Sequence, residues 1–107
     1  MSADKELSVL RGEPIKIMVG EKEETVSRLT IDEQIQVMDI IQENAEAKNS
    51  VAIARMVKII AIAMKREVTQ NEFFTAAQIV GAFNKIWAQN EFDFLLKEVG
   101  NLRLKAN

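Results

Sequence analysis

Residues 51–64 read Val-Ala-Ile-Ala-Arg-Met-Val-Lys-Ile-Ile-Ala-Ile-Ala-Met, a run whose only charged members are Arg55 and Lys58. A segment so apolar on nearly all sides is a helix at the centre of a fold, or one with a second face reserved for a partner. A membrane span is not favoured. At 1.5 Å per residue the run reaches about 21 Å, short of the ~30 Å hydrocarbon layer, and two charges interrupt it. If the helix is central, Ile60→Asp must unfold the protein. The rest of the chain is therefore read as cover for this element.

The 107 residues, 48% of them hydrophobic, suffice for one domain and one core. Three parts are expected: an arm at 1–12, loose because Gly12 and Pro14 stop a helix from running through; a single domain at 13–100; and a loose tail at 101–107. Within the domain, Ile15, Ile17 and Val19 alternate with Lys16 and Met18. A polar stretch, Gly20-Glu21-Lys22-Glu23, precedes Thr25-Val26-Ser27-Arg28-Leu29. That is a β-hairpin over 14–29, which needs helices or another chain against its Ile/Val face to be stable.

The helical body follows over 30–100. Thr30 and Glu33 have capping-box spacing and open a helix to about Ala47, with Ile31, Ile35, Met38 and Ile41 or Gln42 as its apolar stripe. Ser50 is placed to cap the central helix. Thr69 and Glu72 repeat the box, opening a helix through Phe73, Phe74, Ala77, Val80, Phe83 and Trp87. Gly81 inside it is expected to mark a close helix crossing. Asn90 is expected to cap a last helix that buries Phe92, Leu95, Leu96 and Val99 and stops at Gly100. The fold class is mainly α: a small bundle of about four helices with an N-terminal hairpin.

Without Cys or His the chain cannot build disulfides, zinc-finger ligand sets, thiolate nucleophiles or imidazole bases. The acid group Glu21, Glu23 and Glu24 is read as a solvated turn rather than an acid–base pair. Phosphate-loop spacings and EF-hand spacing are absent. No catalytic, metal or cofactor site is therefore expected, and the protein is read as a non-enzyme. A net charge of −2, with 14 basic and 16 acidic side chains, provides no global field for nucleic acid. The start, Met1-Ser2-Ala3-Asp4-Lys5-Glu6, lacks the pattern of a signal peptide, so an intracellular location is expected.

Binding of another protein is the remaining reading. Arg55 and Lys58 share a helix face at i, i+3, within a basic cluster that includes Lys48, Lys65 and Arg66. They form either an electrostatic strip or the polar edge of the core helix. Phe74 and Phe94 fall beside the apolar stripes and are the candidate exposed contacts.

The order of elements resembles the tail assembly chaperones of long-tailed (siphophage-type) bacteriophages. The matching pieces are Val26-Ser27-Arg28-Leu29-Thr30-Ile31-Asp32-Glu33, the helix to Ala47, and Val68-Thr69-Gln70-Asn71-Glu72-Phe73, within a likeness covering about residues 13–100. The resemblance implies a protein that binds the helical, aggregation-prone tape measure protein and keeps it soluble during tail tube assembly in the bacterial cytoplasm. It also implies a companion frameshifted, C-terminally extended form. No catalytic residue is carried over from the family, and homo-oligomerisation is compatible with it. Two other readings stand beside it: a structural tail or connector subunit whose hairpin pairs with its neighbours, and a helical nucleic-acid-binding regulator. The latter lacks a recognition-helix pattern of Arg, Asn and Gln.

Overall fold

The alternation at residues 15–19 produces strand β1 (Ile15–Val19), which pairs antiparallel with β2 (Lys22–Val26). The computed structural model describes residues 13–43 and 48–106. The arm expected over 1–12 and the helix end expected near Ala47 fall outside the described residues. Val19 lies opposite Lys22, so the turn is only Gly20-Glu21, and Gly20 has φ +64°. Glycine with positive φ at the first central position is the type II′ arrangement, which matches strand twist. The second strand begins three residues earlier than expected, taking in Lys22 and Glu23, which were expected in the turn. It ends at Val26, and Ser27–Leu29 continue without strand pairing to the first helix.

Helix α1 (Ile31–Gln42) begins at the Thr30 box: Thr30 Oγ1 accepts from the Glu33 N–H at 3.2 Å, and Glu33 Oε1 accepts from the Thr30 N–H at 2.9 Å. Its buried face is Val37 and Ile40, flanked by Met38 and Ile41. The expected stripe is thus partly corrected, because Ile31 (76% exposed) and Ile35 (47%) stand in solvent. At 100° per residue, positions 31 and 35 fall on the side of the helix opposite the 37/40 face, with Met38 and Ile41 between the two.

Helix α2 (Asn49–Met64) is the central element, burying Val57, Ile59, Ile60 and Ala63, with Ile60 fully enclosed. It is not wrapped all round: Val51, Ala54 and Lys58 are exposed. Ser50 is not its cap. The helix starts two residues earlier, with Lys48 at the capping position and no side-chain bond there. It ends at Lys65 in the left-handed conformation (φ 59°), where the Arg66 N–H reaches back to the Ala61 carbonyl at 3.3 Å. This six-to-one bond closes the helix as a glycine-terminated one would be closed.

The second box holds locally, with Glu72 Oε2 accepting from the Thr69 N–H at 2.8 Å, but it opens only the 3₁₀ turn Gln70–Glu72. Phe73 is extended, and Thr75 restarts the chain as α3 (Ala76–Gln89), accepting from the Gln78 N–H at 3.1 Å. Phe73 and Phe74 therefore lie in the linker, not in the helix. The restart changes the phase: α3 buries Ile79, Ala82, Ile86 and Gln89, while Val80, Phe83 and Trp87 are half-buried and Ala77 is exposed. Gly81 marks no helix crossing. A β-carbon there would meet nothing within 4 Å.

Asn90 is the C-cap of α3 and, with Gln89, the polar part of the core. Its Oδ1 accepts from the Leu29 N–H at 2.9 Å and from Gln34 Nε2 at 3.3 Å, while Nδ2 donates to the Ile86 carbonyl at 2.8 Å. Gln89 Nε2 donates to the carbonyls of Val26 (3.0 Å) and Glu13 (3.1 Å). Both amides satisfy backbone groups where strand pairing has stopped, which a buried chain requires. Helix α4 (Phe92–Ala106) then leaves through Glu91, at φ 54°. Trp87 lies between Phe83 (5.4 Å) and Phe92 (5.0 Å), and its Nε1 donates to Asp93 Oδ1 at 2.8 Å, tying α4 to α3. Gly100 does not stop α4, and the tail expected to be loose from 101 is helical to Ala106. A glycine inside a helix weakens it without ending it when the backbone ladder continues.

Candidate partner-binding surfaces

The four residues singled out from the sequence lie on three elements. Phe74 is in the linker before α3 and 70% exposed; Phe94 is on α4 and 59% exposed. Arg55 and Lys58 are on α2, the first half-buried and the second exposed. The exposure expected of the two phenylalanines is what the fold gives them. They are not the whole of the exposed apolar surface, because Ile31 and Ile35 make an i, i+4 pair on α1, with Val51, Leu102 and Met18 on other elements. Sequence reasoning missed the α1 pair by counting it as core.

Phe74 has the most structured surroundings. Together with Val19, Gly20, Lys22, Glu24, Arg66 and other residues it lines an open groove of about 460 Å³ at the hairpin tip. One side-chain amide holds the groove together. Gln78 Oε1 accepts from the N–H groups of Gly20 (3.0 Å) and Phe74 (2.9 Å), and its Nε2 donates to the Gly20 carbonyl at 2.9 Å. Turn and linker are in such close contact that a β-carbon on Gly20 would come within 2.7 Å of the Glu72 carbonyl oxygen.

Charges close the groove. Arg66 donates to Glu24 on β2 at 2.8 Å, to Glu72 at 3.0 Å and to the Glu67 carbonyl at 2.9 Å. The bonds from Glu24 and Glu72 hold the guanidinium above its ordinary value. Glu72 is held below the usual carboxylate value by the Thr69 N–H first and Arg66 second. Next to Arg66, at the C-cap of α2, Lys65 Nζ sits 2.7 Å from both oxygens of Glu33. Burial pushes the Glu33 carboxyl up, but the Lys65 ammonium and the bonds from Thr30 outweigh it, so the net shift is downward.

Of the basic cluster, Lys65 and Arg66 are thus engaged in pinning β2, α1 and the linker to the end of α2. Of the acid group, Glu21 and Glu23 are exposed in the turn region, and Glu24 is paired with Arg66. Among the described residues no three acidic side chains gather as metal ligands, and no helix is long and apolar enough to cross a membrane. The arrangement offers exposed apolar side chains on a pinned framework, with cations beside some of them. Comparison of the chain with protein-family models, with curated proteins and with solved structures finds no match.

Proposed function

We infer that this chain is a phage tail assembly chaperone-like protein, acting in the cytoplasm of a bacterial host without catalysing a reaction. It binds helical segments of the tape measure protein and keeps them soluble while the tail tube assembles. The observation that supports this reading is the set of large apolar side chains left in solvent by a core that is complete without them: Ile31 and Ile35 on α1, Phe74 on the linker, and Phe94 and Leu102 on α4. Scattered single residues of this kind are ordinary, whereas an adjacent pair such as Ile31/Ile35 gives an amphipathic helix a place to lay its stripe. Arg55 and Lys58 supply cations for acidic positions on that helix. The mechanism is mass action: a partner held by its apolar stripe is withdrawn from aggregation until tube subunits displace the chaperone.

Co-expression with a tape measure protein, followed by pull-down and sedimentation, tests the reading. A partner soluble only in the presence of this chain, and less so with Phe74→Ser, Phe94→Ser or Ile35→Ser, supports it. Absence of a complex, with rings formed by the isolated protein, replaces it with a structural tail or connector subunit. Salt-dependent retention on DNA would favour the regulator instead.

A further inference from the structure

Strand β1 has a partner on one edge only. In a two-residue hairpin the pair flanking the turn is hydrogen-bonded and bonded pairs alternate outward. Val19/Lys22, Ile17/Glu24 and Ile15/Val26 are therefore the bonded pairs, and the backbone groups of Lys16 and Met18 face away from β2. Lys85 marks the same direction independently, since its Nζ donates to the Lys16 carbonyl at 3.1 Å. Among the described residues no strand lies on this edge. An open edge with one carbonyl shielded by a lysine is a site for strand addition that the fold guards.

Helix α3 faces that edge across an apolar trough. Ile17, Met18, Gly81, Ala82 and Lys85 line a depression of about 200 Å³. Ile15, Lys16, Lys85, Ala88 and Gln89 line a second, of about 460 Å³. Lys85 is common to both, so they form one track along β1. The small residues Gly81, Ala82 and Ala88 leave room for a chain with side chains of its own. Gln89, 4% exposed, carries a buried Oε1 without a hydrogen-bond partner, an acceptor in need of a donor. Lys16 and Lys85 are the charged residues of this lining; Lys16 is paired with Glu23 at 3.4 Å across the hairpin, while Lys85 has no acidic residue beside it in the track, although the chain as a whole carries −2.

We propose that the trough between β1 and α3 takes an extended segment of a partner protein, alternating apolar and acidic residues, as a third strand on β1. Its apolar positions lie over Gly81, Ala82 and Ala88, and its acidic positions lie beside Lys85. A strand N–H takes over the Lys16 carbonyl, releasing the Lys85 ammonium to meet a carboxylate. A second copy of β1 is a poorer occupant, because it would bring the Lys85 of both copies together while its own Glu23 is already paired with its Lys16. This strand site is separate from the helix-binding side chains: Ile31, Ile35, Phe74 and Phe94 do not line it. Its failure leaves the chaperone reading standing, and the reverse also holds.

The test uses the full chain and a fluorescent peptide of about ten residues alternating Val and Glu, with a Val/Lys peptide as control. The expected result is a rise in anisotropy with the Val/Glu peptide, slower hydrogen exchange at the Lys16 and Met18 amides, and binding about tenfold or more weaker for Val/Lys. Met18→Pro removes an edge N–H without breaking a β1–β2 bond and should weaken binding by about tenfold or more. If that variant does not fold, a Val/Glu peptide N-methylated on its edge-facing amides gives the same reading. No binding of the Val/Glu peptide overturns the proposal, as does equal binding by folded Met18→Pro, by the N-methylated peptide or by Val/Lys. A dimer that Met18→Pro dissolves would assign the edge to a second copy instead.

Discussion

Replacing Gly20 with alanine should be among the most damaging single-carbon changes available to this protein, and the same change at Gly81 should help it. At Gly20 the backbone sits at φ +64°, where an L-residue costs about 1–2 kcal/mol over glycine. The added β-carbon would also lie 2.7 Å from the Glu72 carbonyl oxygen, a backbone atom that cannot swing aside. Turn and linker must part, loosening the two hydrogen bonds between Gly20 and Gln78, each worth about 1 kcal/mol net. The sum is about 3 kcal/mol. At Gly81, mid-helix, exposed and with open space around it, alanine should gain about 1 kcal/mol. For a domain of this size 1 kcal/mol corresponds to about 4 °C or more, so Gly20→Ala should lower Tm by about 12 °C or more and Gly81→Ala raise it by about 4 °C. Thermal and urea unfolding followed by circular dichroism measure both. Gly20→Ala should also be non-additive with Gln78→Ala, since both loosen the same contact. A loss below about 0.5 kcal/mol at Gly20, or shifts of the same sign at the two sites, would refute the reasoning.

Three further outcomes can be checked in the same way. Ile60→Ala should cost about 2–5 kcal/mol in urea unfolding and Ile60→Asp should abolish the folded state, so a soluble, folded Ile60→Asp protein contradicts the central place of α2. Asn90→Ala strands the buried Leu29 N–H and should cost about 3 kcal/mol, with amide exchange accelerating first at Leu29. Glu33 and Glu72 have folded pKa values below their unfolded ones, so their contribution is present above the unfolded value near 4.5 and is lost as pH falls through the folded value. Urea midpoints should therefore drop from about pH 5 downward, and Glu33→Gln with Glu72→Gln should flatten that drop.

The hairpin and the central helix were legible in the sequence because each rests on a local pattern: period-two alternation before a glycine turn, and a long apolar run. The Thr30 box was legible for the same reason, since both of its bonds lie within four residues. The start of α3 was not. Thr69 and Glu72 make a sound box, yet Phe73 leaves it extended, and Thr75 restarts the chain with a different buried face. The helix expected through Phe73, Val80 and Trp87 thus starts later, and its buried stripe of Ile79, Ala82 and Ile86 lies beside the expected one. Gln89 and Asn90 could not be read as core, because their partners are backbone groups of Val26 at the end of β2 and of Leu29 beyond it, some sixty positions away in sequence. Of the candidate contacts, the exposure of Phe94 could be read from its position beside the α4 stripe, whereas Phe74 is exposed because it lies in the linker and not because it lies beside a helical stripe. The exposure of Ile31 and Ile35 could not be read, since with Met38 they follow one another at helical steps as a buried stripe would, while the buried face is formed by Val37 and Ile40 on the opposite side.

The junction between α3 and α4 acts as the root of a lever. Only Asn90 and Glu91 separate the two helices, with Asn90 enclosed and Glu91 in the left-handed region, and Phe92 directly after them is fully buried. Beyond this root, burial falls away through Leu95 and Val99 to Leu102 at 68% exposed. Fifteen residues of helix reach about 22 Å, so a rotation of about 10° at the root carries the far end about 4 Å. The position of the exposed Leu102 is therefore set as much by the stiffness of two residues at the base of α4 as by the helix that carries it.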